Sequence, residues 1–484
     1  MKGITAYGIS LPYYRIKRET VFQAMGWFNP GLAALKGGEK AVANHDEDSL
    51  TLAVSAGKAC FSDVDRSAVR ALYLASTTLP YRERSNAGIA LAALNLSPEC
   101  RTVEFGGEIK SGVTALVSAL RDQGEGSNLV CASDCRVGKA GGANEILFGD
   151  GAAAFVTGES DVIASCEASC SLSCDFPDYR RINGDGFVRS WEERWIRVEG
   201  FTRFIPQALA GLFKEADIRA SDVAKVIFPP LGGRDHPAVG KLLGLEGAQI
   251  QDPLLGAVGH TGSAHPLLML AAALDEAKPG DYLAVAGYGG GADALLLKVT
   301  DAITASRSRG GFAQTLAYKQ EMDSYPKYLC FKNMVDKEAG IRGEEIAVTS
   351  LSLNWREQDA VIRLSGGRCT ACGTPQFPRE RICVNPHCGE QDHMEPYVFS
   401  DKTGRLFTYT ADNLTYSEDP PSLYGIVDFE GGGRYWFDIT DCRLEDLHVG
   451  QEVEMTFRRK YRDEARSLYG YFWKATPFKS RPRA

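Results

Sequence analysis

The chain has 484 residues, 54 basic and 62 acidic side chains, and a formal charge of −8, which excludes a nucleic-acid clamp and a polybasic membrane binder. With 44% hydrophobic and 10% aromatic residues it can bury large cores, so disorder is excluded as the main state. The length predicts two to four domains.

The N-terminus (MKGIT) lacks the charged-then-apolar layout of a secretory signal, and no run of about 18 apolar residues follows. A soluble cytoplasmic protein with no membrane partner is expected. Up to about residue 300, apolar strand-like runs alternate with Ala-rich helical stretches: 71–76 (ALYLAS) then 87–94, 129–132 before a Gly-rich loop, and 226–228 then 238–245. Alternation of this kind predicts an α/β sheet with helices on its faces. Two Gly-rich turns, at 148–151 and 287–291, each lead into an apolar strand, which predicts an internal duplication into halves of about 1–160 and 161–300. Residues 301–354 lose the rhythm and turn polar, so a partly helical linker is expected there. A cysteine cluster at 355–395 follows. Short alternating segments then fill 396–484 (405–410, 424–429, 434–439, 453–458 and 469–473) and predict a small β-barrel.

The thirteen cysteines are odd in number and unevenly placed, which points to metal binding and free thiols rather than a disulfide framework. Cys369, Cys372, Cys383 and Cys388 form two close pairs, the spacing that surrounds one tetrahedral Zn²⁺. Four thiolates leave no open position for water, so the zinc should be structural. His387, inside the second pair, is the alternative ligand. Residues 351–484 hold 18 basic and 20 acidic side chains, so an RNA-binding barrel is not expected despite the ribbon before it.

Residues 1–300 resemble the thiolase superfamily, and within it hydroxymethylglutaryl-CoA synthase and its archaeal-type relatives. The resemblance is carried by 38–52 (GEKAVANHDEDSLTL), 74–81 (LASTTLPY), 110–116 (KSGVTAL), 148–154 (FGDGAAA), 258–264 (VGHTGSA) and 278–291 (KPGDYLAVAGYGGG). Residues 355–484 are similar to zinc-ribbon plus OB-fold proteins that accompany such thiolases as separate subunits. The resemblance implies a thiolase-like, duplicated five-layer fold followed by a zinc ribbon and an OB-fold barrel. It also implies an acyl-CoA ligand, a homodimer through residues 1–300 with the strand at 129–132 as its edge, and a separate thiolase or other acyl-CoA enzyme as a possible partner.

Where such synthases carry a glutamate, a cysteine nucleophile and a histidine, this sequence reads Thr77, Ile109 and Pro229. Covalent acyl transfer needs a nucleophile that is also a good leaving group, which isoleucine is not. Aldol or retro-aldol chemistry at a thioester α-carbon needs only enolate-stabilising donors and a proton-transfer group. His260 is the candidate enolate donor, with a backbone N–H from Gly289, Gly290 or Gly291, the turn that also implies the CoA-binding site. Tyr288, Glu192 and Glu193 are the proton-transfer candidates, with packing or solvated surface roles as their alternatives. His236, His265, Glu108 and Lys110 are weaker candidates, and Cys131 and Cys135 read as buried small residues. A synthase or acyltransferase with another nucleophile, and a non-catalytic acyl-CoA-binding scaffold, are the rival readings.

Overall fold

The computed structural model describes residues 2–61, 64–232, 235–306, 311–341, 343 and 348–478. Nine strands form one sheet: β1 (Gly3–Ser10), β2 (Val69–Ala75), β3 (Arg101–Phe105), β4 (Ser127–Asp134), β5 (Gly151–Gly158), β6 (Ala164–Ser173), β7 (Lys225–Ile227), β8 (Tyr282–Tyr288) and β9 (Gly291–Val299). Their spatial order is β7-β8-β9-β6-β1-β5-β4-β2-β3. The duplication is visible in the pairing. From β3 through β2, β4 and β5 to β1, the contacts run parallel, parallel, antiparallel, antiparallel. From Ile250, bridged in parallel to Val226, through β7, β8 and β9 to β6, the same pattern recurs. The halves join where Gly3 and Ile4 meet Ser165 and Ala164.

Five layers follow from where the helices bury. Helix α1 (Ser49–Cys60) packs outside the first half and α3 (Thr202–Glu215) outside the second. Between the halves lie α2 (Ser111–Arg121) and α4 (His265–Glu276), which touch each other. Every residue of α4 from His265 to Leu274 is buried, as expected of a helix that is apolar all round. Asp48 caps α1 by accepting from Thr51 N–H at 2.9 Å.

The sheet's edge differs from the sequence expectation. The segment 129–132 lies in β4, paired on both sides, and β3 is the edge of the first half. A continuous apolar run marks an interior strand buried on both faces, whereas β3 (RTVEF) carries two charged residues and has no fully buried position. Within the polar stretch after residue 300, residues 320–331 are docked. Gln320–Glu321 pairs with Tyr14–Lys17, and Met322, Tyr328 and Phe331 bury beside Tyr13, Tyr14 and Ile16.

The ribbon strands are Ser365–Cys369, Pro375–Gln376 and Met394–Val398. The barrel strands Gly404–Asp412, Ser422–Phe429, Arg434–Asp438, Glu452–Asp463 and Leu468–Pro477 close through an Ile439–Ala475 bridge. Leu406, Phe437, Phe457 and Trp473 of the barrel share one apolar cluster with Leu50 and Val54 of α1, so barrel and first half are one packed body. A cavity of about 1130 Å³, lined in part by Lys58, Arg66 and Trp473, lies in that seam. No helix among the described residues is long and apolar enough to cross a membrane.

Candidate functional site

Where β2 and β4 end, the buried carboxylate of Asp134 gathers the chain. Its Oδ1 accepts from Ser76 Oγ (3.0 Å), Thr77 N (2.7 Å), Thr77 Oγ1 (2.9 Å) and Thr78 Oγ1 (3.0 Å), and its Oδ2 accepts from Ser263 N (2.7 Å). These bonds tie the STT run to the GHTGSA loop. Gly262 (φ +60°) has to be glycine, because a Cβ there would collide with Asp134. The same loop is pinned to FGDG. His260 N donates to Leu147 O at 2.7 Å, Gly149 N donates to His260 O at 3.2 Å, and a Cβ at Gly149 would run into Val258 O.

Above this base is a cavity of about 340 Å³ whose wall includes Thr77, Ile109, Gly289 and Gly290. Ile109, which the resemblance aligns with a nucleophile, and the glycine turn therefore meet. Gly289, Gly290 and Gly291 all have positive φ (148°, 54° and 114°). Gly289 N–H is spent on Gly291 O at 3.1 Å, whereas Gly290 N–H makes no bond among the described residues and is the turn's free donor. Ile109 packs against Gly289, and the Glu108 carboxylate lies against Gly290. Burial pushes the Glu108 carboxyl up, and Lys110, 3.6 Å away, works against that. Lys110 also faces Asp293 at 3.4 Å, with Thr114 Oγ1 donating to the same carboxylate at 2.5 Å, so Lys110 holds the floor.

Asp178 lines the cavity, and Tyr288, which does not, faces it from the second half. Burial raises both, Tyr288 far above the usual phenol range. Neither Tyr288 Oη nor Asp178 Oδ2 makes a well-formed hydrogen bond. A Cβ at Gly200 would clash with the Tyr288 hydroxyl, and Gly200 sits in a π-helical turn, Ile196–Phe201, a geometry frequent at functional sites.

His260 does not line the cavity; its ring lies 6.4 Å from Phe148, on whose ring the wall residue Arg136 sits, and stacks 4.9 Å from His265. Its Nδ1 accepts from Gly262 N–H at 3.1 Å, which leaves the proton on Nε2. Burial, His265 and Arg136 hold its pKa well below the usual range, so it is a neutral donor. His265 is fully engaged, accepting from Thr261 N and donating to Pro253 O at 2.8 Å. His236 donates to Phe228 O at 2.8 Å and does not line the cavity.

Glu192 and Glu193 are at the surface. Glu193 is 80% exposed and paired with Arg197, beside the stacked rings of Trp191 and Trp195. The Cys131 thiol is pushed up to about 12 and that of Cys135 well above its ordinary value, both by burial. Sequence reasoning did not single out Arg136, Asp178, Asp134 or the exposed Cys174, of which Arg136, Asp178 and Cys174 line the cavity. For Asp134 and Arg136 a signal was present, polar residues closing the apolar strand β4 (CASDCR).

In the ribbon, the Sγ atoms of Cys369, Cys372, Cys383 and Cys388 lie within 4.8 Å of one another, with 369–388 at 3.8 Å and 372–383 at 3.5 Å. A Zn–S bond of about 2.3 Å requires tetrahedral S···S edges of about 3.8 Å, so the four thiolates fit zinc as they stand, without His387. One equivalent of zinc per chain is expected in freshly purified protein. Cys372→Ser should release it and loosen the ribbon, and a content below about half an equivalent would refute the assignment.

Family models match three segments: 3-oxoacyl-[acyl-carrier-protein] synthase III C terminal at residues 213–299, the ChsH2 rubredoxin-like zinc ribbon at 356–393, and the ChsH2 C-terminal OB-fold at 397–458. Hydroxymethylglutaryl-CoA synthase of Methanopyrus kandleri is 30% identical over 342 residues, 68% of this chain and 97% of that protein. The enzyme of the same name from Aeropyrum pernix is 33% identical over 325 residues, 65% of this chain and 89% of its own. Among solved structures, the curacin-pathway HMG synthase with its acetyl donor-ACP superimposes with a TM-score of 0.60 at 16% identity, covering 82% of this chain and 99% of that one.

Proposed function

Because the chain belongs to the hydroxymethylglutaryl-CoA synthase family of the thiolase superfamily, we propose that it forms or cleaves a carbon–carbon bond beside an acyl-CoA thioester by aldol or retro-aldol chemistry, with no acyl-enzyme. The observation that carries this reading is Ile109, an inert side chain at the nucleophile position, flanked on the same cavity wall by Glu108. In the cleaving direction Glu108 accepts the β-hydroxyl proton, the Cα–Cβ bond breaks, and its electron pair becomes an enolate. The enolate oxygen receives hydrogen bonds from His260 Nε2–H and Gly290 N–H, and a proton then returns to the α-carbon. Tyr288 and Asp178 form the second proton-holding pair. In this reading CoA enters by the Gly289–Gly290 turn, and β3 is the edge available to pair with a second copy.

Glu108→Gln should lower turnover of a β-hydroxyacyl-CoA by at least roughly 10²-fold with the fold intact. As a base, Glu108 works only when ionised, so wild-type kcat/KM should rise with pH through a value above the usual carboxylate range, and that limb should vanish in Glu108→Gln. Cys174 supports a second reading, an acyltransferase with a relocated nucleophile, since it is exposed on the same wall. Intact mass after acyl-CoA exposure separates the two. An adduct abolished by Cys174→Ser would sink the aldol route, whereas turnover by Cys174→Ser without any adduct supports it.

A further inference from the structure

Arg136 is the unexplained charge of the cavity. It is 3% exposed and lines the wall, and among the described residues its guanidinium makes no hydrogen bond and no ion pair. Its Nη1 is buried without an acceptor. The groups in direct contact with it are ring faces, with the Phe148 and Tyr179 centroids 4.1 and 4.9 Å from Cζ. Ring faces attract a cation but accept none of its five N–H donors in the way a carboxylate does. A buried guanidinium with no carboxylate is strongly unfavourable unless something supplies the anion. The nearest acids, Asp134 and Asp178, act on Arg136 only through space, with no ion pair. Asp134 is committed to Ser76, Thr77, Thr78 and Ser263, and Asp178 forms no ion pair with Arg136 although it lines the same cavity. Arg181, the neighbouring cation, donates to Thr77 O at 2.5 Å.

We propose that Arg136 receives a carboxylate carried by the acyl group, so that the substrate is the CoA thioester of a carboxylate-bearing acyl chain rather than of a neutral one. The planar fork of guanidinium donors matches a carboxylate in two parallel bonds. Long-range attraction contributes nothing to such a preference, because the chain is itself net negative, so selectivity for the extra negative charge has to come from a local cation. The inference rests on the acyl-CoA reading above and narrows it.

The test is calorimetric titration of the full chain with succinyl-CoA and butyryl-CoA, thioesters of equal chain length that differ in the terminal carboxylate. The wild type should bind succinyl-CoA at least roughly tenfold more tightly. Arg136→Gln should bring the two within about twofold, with butyryl-CoA affinity unchanged, and Arg136→Lys should retain part of the preference. Equal binding of the two thioesters by the wild type overturns the inference while leaving the acyl-CoA reading in place, and a preference that survives in Arg136→Gln overturns it as well. Binding of neither thioester and no binding of free CoA overturns both. The wild-type comparison decides the matter even if the Gln variant folds poorly.

Discussion

Arg458→Met is expected to weaken the docking of the barrel on the first half by roughly 3–5 kcal/mol. Arg458, on the barrel strand Glu452–Asp463, reaches into residues 44–48 of the first half and meets Asp46 at 3.1 Å, Glu47 at 2.8 Å and the barrel's own Asp441, all side chains at most 5% exposed. Lys474 adds a second contact to Asp46 at 2.9 Å. Three carboxylates face two cations, so one proton is retained most easily by Glu47, whose burial raises its pKa to about 7. Removing Arg458 leaves the acids with Lys474 alone, and a buried unpaired charge costs far more than the pair contributes. The pH response has a definite sign. The folded state then holds more protons than the unfolded one, so the variant's stability should fall as pH rises from about 4.5 to 8. The measurement is the barrel's unfolding transition in urea at pH 5 and pH 8. A loss below about 1 kcal/mol at pH 8 would show that the shared apolar cluster, not the charges, holds the barrel.

Local signals placed most of this architecture. The period-two runs between 405 and 473 became the five barrel strands, because each alternation fits one wet and one dry face. The paired cysteine spacing located the thiolates, since gaps of two and four residues return the chain to the same ion. The edge strand was misread because an apolar run such as LVCA at 129–132 signals burial on both faces, which only a central strand has. The candidate site was legible at Ile109, Gly289 and Gly290, where motifs fix backbone. It was not legible at Arg136, Asp178 or Cys174, whereas Glu108 and Tyr288 are candidates from sequence alone. A charge without a partner is a tertiary fact, and Arg136 reaches Phe148 twelve positions on and Tyr179 on a different hairpin. Glu192 and Glu193 fall where the resemblance places a substrate-facing acid and aromatic, yet Trp191 and Trp195 stack on each other at the surface.

The role assigned to His260 predicts that His260→Ala lowers turnover by roughly 10²–10³-fold, about 3–4 kcal/mol, while acyl-CoA binding changes much less. The reason lies in the division of its two ring nitrogens. Nδ1 is occupied as acceptor of Gly262 N–H, so the ring presents a single donor, Nε2–H, and its depressed pKa keeps it neutral. No limb near pH 6.5 should then arise from this residue. The fold should survive the substitution, because the loop is held by main-chain bonds of residue 260 to Leu147 and Gly149 and by Asp134 through Ser263, none of which involves the imidazole. What the variant loses structurally is one acceptor for Gly262 N–H, a stability cost of roughly 1–3 kcal/mol that shows in Tm. The two effects separate in His260→Gln. Its amide N–H extends to where Nε2–H sits but offers nothing at the Nδ1 position, so a donor role predicts turnover partly regained over Ala with Tm still low. A purely structural role predicts that Ala and Gln, once folded, turn over at the wild-type rate. Turnover of a β-hydroxyacyl-CoA alongside melting curves for the three proteins decides between them, and near-normal turnover by folded His260→Ala would remove His260 from the enolate site.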